Sequence, residues 1–508
     1  MHRALFLWLV CSWFTAVGAE PPPPSGSDRV VDLGRFVVVP NLDDDNANGV
    51  ADALEPVNPR IPVKDDEFLR FEIPEVVVTQ AIRLQEQSSP IRFVEINRMP
   101  GGRSEVVFQA IRPKGPGDAE TIVWVLGTTA RYRARIDTAP FALLSSLAQP
   151  TEIFVVDATD TAPVRMGLES LLSSIPGGPN LTVIRVPKGD DRDVWVQDAT
   201  EIGVFAGSSV NAALHGLRGQ HYRKPGDVQG GPLDDYFASM FLRPNRAVIS
   251  IGESLPKRKW IDWFGNLEVT PPHQSRQGKS YPFGRILTGK QEDFSMHPEV
   301  MRFLEAQGIQ WPPIVLDTGF LLIGHADELV TFVPSEKGFR MVVASPTRGE
   351  AVLRDLMAKG HGALKLLESR LDADGKPAER SVREILSNRR QMAANRRAAE
   401  VMASNLQLLC DALGYDRSEV IELPVMFDRS GMSVWPNVVN GLVIGRHIIS
   451  PKPFGPVVDG HDYLETLCRK ILAEAGIEIS FVDAYDGYSR MAGEVHCGTN
   501  AIRRNNHP

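Results

Sequence analysis

Three stretches carry side chains that an apolar core does not need. "GEVHCGTN" (493–500) sets His496 directly before Cys497, a cysteine surrounded by Gly, His, Thr and Asn. "DTGFLLIGHADELVTFVP" (317–334) follows an apolar run with His325, Asp327 and Glu328. "DRDVWVQDATEIG" (191–203) reads as strand-like and carries Trp195, Gln197, Asp198 and Glu201. Taken singly each is weak, because a His or Asp at a strand end usually caps or turns the chain. Together they offer a thiol, an imidazole and two carboxylates. Two carboxylates grip a guanidinium through forked, charge-assisted hydrogen bonds. A thiolate attacks the guanidinium carbon and forms a covalent intermediate. A histidine protonates departing ammonia and then activates water. Zinc is the competing reading, with His325, His496 and Cys497 as ligands, but no C-x-x-C or H-E-x-x-H spacing supports it. In an extended segment His325 and Asp327 share a face, whereas His496 and Cys497 point to opposite faces. His496 is then a poor partner for Cys497 and is expected to pack or hydrogen-bond behind the site.

A second signal is metallic. "DDNANGVADALE" places Asp44, Asn46, Asn48, Gly49, Val50, Asp52 and Glu55 at positions 1, 3, 5, 6, 7, 9 and 12 of D-x-[DN]-x-[DN]-G-x5-E. A hard cation wants several oxygens, the Gly permits the sharp turn, and the final Glu can bind through both oxygens. The flanks read as extended, so the expectation is a Ca2+ loop in a β domain rather than an EF-hand pair.

These residues need a scaffold. "RFVVVP", "FLRFEI", "EVVVT", "SEVVFQAI" and "TIVWVLG" alternate with turn residues, which predicts a small β-sandwich over 28–133. From 134 onward strand-like and helix-like runs alternate, which predicts an α/β catalytic domain over 134–508. No repeat of fixed period shows in residue identity. Residues 1–19 ("MHR", then an apolar run, then small residues) read as a signal peptide and 20–27 ("EPPPPSGS") as a Pro-rich linker. The expected location is secreted or periplasmic, with no stable membrane anchor after cleavage. Cleavage removes Cys11. Cys410 and Cys468 sit in helix-like apolar patterns, so three cysteines remain and no disulfide framework is expected. A net charge of −8 argues against a nucleic-acid partner.

"WVQDATEIG", "WFGNLEVTPP", "GKSYPFGRIL", "GHADELVTFVP", "KGFRMVVASP", "WPNVVNGLVIGRHIISPKPFGPV" and "GEVHCGTN" occur in an order that resembles the peptidylarginine deiminases, over roughly 134–504. The resemblance implies a five-bladed α/β propeller (pentein) preceded by an immunoglobulin-like domain. It implies Ca2+-dependent conversion of arginine in proteins or peptides to citrulline. It gives Cys497 as nucleophile, His325 as general acid/base, and Asp198 and Asp327 as guanidinium-binding carboxylates. It places Trp195 along the substrate side chain and Arg218 against the substrate backbone. It implies a Ca2+ site of Gln197, Glu201 and Glu268 with the carbonyls of Phe264 and Leu267.

The chain also departs from the animal pattern. The expectation is that there is no room for their additional N-terminal domain. Ala199 stands where an acid is expected, and 204–221 lacks further acidic ligands, which puts a second catalytic-domain calcium in doubt. Met491 stands where some members have arginine, with Arg490 adjacent. Two rival functions are a deiminase or amidinotransferase-like enzyme of free guanidines such as arginine or agmatine, and a non-catalytic calcium-binding protein.

Overall fold

The structure, a computed structural model, describes residues 29–45, 50–52, 68–84, 89–186, 193–215, 218, 233–251 and 260–505. The expected signal peptide and linker lie outside the described residues. Two compact units separate. One comprises residues 1–42 and 52–139, the other 43–51 and 140–508.

The first unit is built on two β-sheets, with a short 3-10 turn at Pro100–Gly102. One sheet orders Val30–Val38, Arg131–Thr138, Thr121–Gly127 and Val77–Leu84; the other orders Phe68–Ile73, Arg103–Ala110 and Ile91–Met99. Alternation puts Phe71, Ile73, Val106, Phe108, Val123, Val125, Ala134 and Ile136 into one apolar cluster shared by both sheets. The strand Arg131–Thr138 runs through the 133/134 boundary drawn from sequence. It pairs with Val30–Val38 and Thr121–Gly127, so the division falls after it.

The second unit repeats one small motif: an antiparallel pair, a helical crossover, and a strand parallel to the pair's second member. The motif runs through Thr200–Phe205, Asn211–His215 and Arg246–Ser250, then through Leu267–Val269, Ile286–Gln291 and Ile314–Asp317. It recurs in Val330–Ser335, Gly338–Ser345 and Ile421–Pro424, and in Leu442–Ile444, His447–Pro451 and Glu478–Val482. A fifth copy is closed by the chain's end: Thr499–Arg503 pairs antiparallel with Pro150–Val156, which pairs parallel with Asn180–Ile184. The crossover helices Ala162–Ser174, Leu233–Phe241, Pro298–Gln307, Pro346–Ala358, Arg389–Leu413 and Tyr463–Ala473 bury apolar stripes against these sheets. The repeat is thus real in strand order although residue identity does not display it, because each copy needs only apolar positions of the right period. Among the described residues no helix is long and apolar enough to cross a membrane.

Candidate active site

The repeat explains how distant residues meet. Asp198 lies two residues before the strand Thr200–Phe205, and Gly265 two before Leu267–Val269. Asp327 lies three before Val330–Ser335, Asn440 two before Leu442–Ile444, and Cys497 two before Thr499–Arg503. Each copy therefore presents its entry turn, and these turns hold the reactive side chains.

The entry turns are not extended, which corrects three local readings. Trp195 leads into a short helix, Val196–Ala199, which stops where β-branched Thr200 turns extended (φ −154°, ψ 150°). His325 precedes a 3-10 turn, Ala326–Glu328, whose Glu328 Oε1 reaches back to accept from the His325 N–H at 3.1 Å. Residues 495–498 form a turn in which Gly498 N–H donates to Glu494 O at 3.0 Å and Thr499 N–H to His496 O at 3.0 Å. In that turn His496 and Cys497 do not diverge. His496 Nδ1 lies 3.1 Å and Cys497 Sγ 3.2 Å from the same oxygen, Oδ2 of Asp327.

Cys497, His325, Asp198 and Asp327 all come together and are at most 5% exposed. Cys497 N–H donates to Asn440 Oδ1 at 3.3 Å, and its carbonyl accepts from Gln197 N–H at 3.2 Å. His325 Nε2 is 2.7 Å from Trp260 O, a group that only accepts, so Nε2 carries the hydrogen. Nδ1 then faces Asp198 Oδ1 at 3.5 Å and is the nitrogen free to exchange a proton. Trp195, Asp198, His325 and Cys497, with Trp260, Trp263 and Arg490, line a cavity of ≈ 260 Å³. Gly493 makes room for Trp195: a Cβ there would lie 2.2 Å from the indole Cζ3.

The electrostatics sort these groups. Burial pushes Asp198 up to about 6, against the pull of His325 and Arg218. Burial also acts on Asp327, but the hydrogen bond and charge of His496 outweigh it and hold Asp327 below the usual carboxylate range. Burial, then Asp327 and Asp198, push the Cys497 thiol well up. Cys497 thus rests as a thiol beside an ionised carboxylate.

Behind this cluster, Gln197 Nε2 donates to Glu201 Oε2, and Glu268 Oε1 lies 3.5 Å from His496 Nε2. Burial raises Glu201 and Glu268, and the charge of Glu268 raises Glu201 further; Glu268 is pushed to about 7. Glu268 Oε1 has no hydrogen-bond partner among the described residues. Two crowded carboxylates with an orphaned oxygen are a donor set that a hard divalent cation fits. Ligand-capable atoms of Glu268, Asp327 and His496 also lie within 4.8 Å of one another, so His496 adjoins the predicted set. Phe264 O accepts from Leu267 N–H in the turn next to Glu268.

Arg218 is held otherwise than a substrate-facing side chain. It is 1% exposed, donates to Asp193 Oδ2 at 2.6 Å and from Nε to Asp234 at 3.3 Å, and lies over Trp263 with 5.0 Å to the ring centroid. Of the acidic loop, Asp44 and Val50 lie in the second unit and Asp52 in the first; Asn46, Asn48 and Glu55 lie outside the described residues. Sequence reasoning missed Asn440, Gly265 and Asn266. The only available signal was their place just before a strand, in "WPNVVNGLV" and "WFGNLEV".

The family described as protein-arginine deiminase matches residues 130–507. This chain belongs to the protein-arginine deiminase family. It is 32% identical over 381 residues to a mouse protein-arginine deiminase type-4, covering 72% of this chain and 54% of the relative. It is 32% identical over 376 residues to a human protein-arginine deiminase type-3, with the same coverage. The chain thus spans about half the length of these curated deiminases. Among solved structures, a C. jejuni agmatine deiminase aligns with a TM-score of 0.41 at 13% identity, over 72% of this chain and 97% of that one. A cyanobacterial arginine dihydrolase aligns with a TM-score of 0.38 at 14% identity, over 71% of this chain and 40% of that one.

Proposed function

We propose that the chain hydrolyses the guanidinium of peptidyl arginine to citrulline and ammonia. The observation that carries this is the convergence of Cys497, His325 and Asp198 with Trp195 around one cavity, with Asp327 set directly against Cys497 Sγ. Asp198 and Asp327 grip the guanidinium and Trp195 packs along its stem. The substrate's positive charge offsets the carboxylates that keep the thiol protonated. Sγ then bonds to the guanidinium carbon, a C–N bond breaks, and the thiol proton leaves with ammonia, giving a thiouronium on Cys497. Water adds, with His325 Nδ1 taking its proton, and the C–S bond breaks to restore the thiol.

A calcium ion fits Gln197, Glu201 and Glu268 with the Phe264 and Leu267 carbonyls, and when bound it supplies positive charge that neutralises the paired carboxylates. Asp44, Asn46, Asn48, Val50, Asp52 and Glu55 form a further calcium loop in this reading. Arg218 is assigned to holding the segment beside Trp263, with substrate contact left to the cavity wall. The finer architecture we propose is a five-bladed propeller, supported by five copies of the strand motif, after an immunoglobulin-like sandwich. Secretion or periplasmic export follows from residues 1–19.

The test is citrulline release from an arginine peptide, free arginine and agmatine, with calcium and with excess chelator. The peptide is expected to dominate and to require calcium. Turnover of the free guanidines alone would replace this reading with a small-molecule deiminase.

A further inference from the structure

Of the five entry turns, that of Gly265 contributes no side chain to the chemistry, yet it touches the two groups whose spacing matters most. Gly265 N–H donates to Asp198 Oδ1 at 3.3 Å. A Cβ on Gly265 would lie 2.5 Å from His325 Nδ1 and 2.6 Å from Asp198 Oδ1. The backbone thus runs against both partners of the imidazole–carboxylate pair, with no room for a methyl.

The next residue fixes the turn. Asn266 is fully buried. Its Oδ1 accepts from Gly289 N–H at 2.7 Å and from Ala326 N–H at 3.2 Å. Its Nδ2 donates to Ile261 O at 2.9 Å and Gly289 O at 3.0 Å. Both amide hydrogens and the carbonyl oxygen are engaged, so the amide has one orientation. Ala326 stands between His325 and Asp327, so one side chain ties the Gly265 turn to both of those residues.

We propose that Gly265 and Asn266 are positioning residues that hold Asp198, His325 and Asp327 at the spacing a planar cationic substrate requires. This rests on the guanidinium reading of the site and adds who sets its geometry. Gly265 does not have positive φ, so Ala at this position meets no backbone penalty and acts as a local wedge.

The test compares alkylation of Cys497 by 2-chloroacetamidine, whose amidinium imitates the guanidinium, with alkylation by neutral 2-chloroacetamide. The full chain is used with calcium present, and labelling is followed by mass. Wild type is expected to react faster with the amidinium. Gly265→Ala is expected to lose that preference by on the order of 100-fold, the effect of displacing an oriented group by about 1 Å. Its rate with chloroacetamide should change little, and it should remain folded at the assay temperature although the wedge lowers its unfolding temperature. Asn266→Asp keeps the acceptor for Gly289 and Ala326 but drops both donations, and should lose part of the preference. It carries the same test if Gly265→Ala is poorly folded. Full preference retained in a folded variant of both kinds overturns the positioning role. No preference in wild type instead overturns the guanidinium reading.

Discussion

Cys497 Sγ lies 3.2 Å from Asp327 Oδ2, so Cys497 rests as a thiol against a buried carboxylate. That oxygen also takes the His496 hydrogen bond, while Asp327 Oδ1 has no partner among the described residues. In the proposed reaction the substrate takes the unpartnered oxygen of Asp327.

This arrangement predicts opposite effects of Asp327→Asn on reactivity and on turnover. Removing the charge removes a cause that pushes the thiol up, so chloroacetamide alkylation should reach half its maximum at lower pH than in wild type. Citrulline formation should fall by roughly 10³-fold, as expected when an oriented, charged substrate clamp is lost. Titrating alkylation against pH beside a turnover assay checks both, and an unchanged alkylation profile counts against the placement of Asp327.

Asp198 sets the acid limb. Its carboxyl is pushed up to about 6 by burial, and only the ionised form grips a guanidinium. The rate kcat/KM on an arginine peptide should therefore decline as pH falls through about 6, rather than near the 3.8 of an unperturbed Asp. A pH profile flat down to 5 contradicts this.

Glu494 links the site to stability. It accepts from Asn437 N–H at 2.9 Å and Ser489 Oγ at 2.6 Å, and burial pushes it up to about 8. The unfolded chain loses this proton near 4.5 and the folded chain only near 8, so over that window the folded state holds a proton that the unfolded state has lost. Stability contributed by Glu494 is therefore greatest at low pH and falls as pH rises. Glu494→Gln, a neutral replacement of the same shape, should flatten the decline of Tm between pH 5 and 8. Parallel thermal melts of the two proteins measure the difference.

Calcium should raise Tm, because a ligand that binds only the folded state stabilises it, by about 2.7 kcal/mol at a hundred times its Kd. Glu268→Gln should weaken that stabilisation, since it removes the carboxylate whose Oε1 has no hydrogen-bond partner among the described residues. In excess chelator its unfolding temperature should not fall below that of wild type, because the change relieves repulsion with Glu201. Melts over a calcium series in the two proteins give both quantities. Equal calcium shifts would remove Glu268 from the site.

Much of the site was legible because its chemistry needs particular elements. A thiol in a polar setting, an imidazole and two carboxylates could be picked from "GEVHCGTN", "GHADELV" and "WVQDATEIG" without coordinates. Period-two alternation put His496 and Cys497 on opposite faces, but the segment is a turn and both side chains reach Asp327 Oδ2. Arg218 could be named as a cation, but residue type does not reveal that Asp193 and Asp234 already hold it.

The sequence by itself determined which atoms can react and the alternation of strands and helices that carries them. Both follow from residue type and from apolar periods of two and 3.6, which are local properties. The tertiary structure decided that Thr499–Arg503 returns to pair with Pro150–Val156, and so brings Cys497 to Asp327, Asp198 and Asn440. It also decided that Gly265 and Asn266 matter. Neither bears a reactive group, and their proposed role comes from hydrogen bonds at 2.7–3.3 Å with residues far along the chain, which no local pattern encodes.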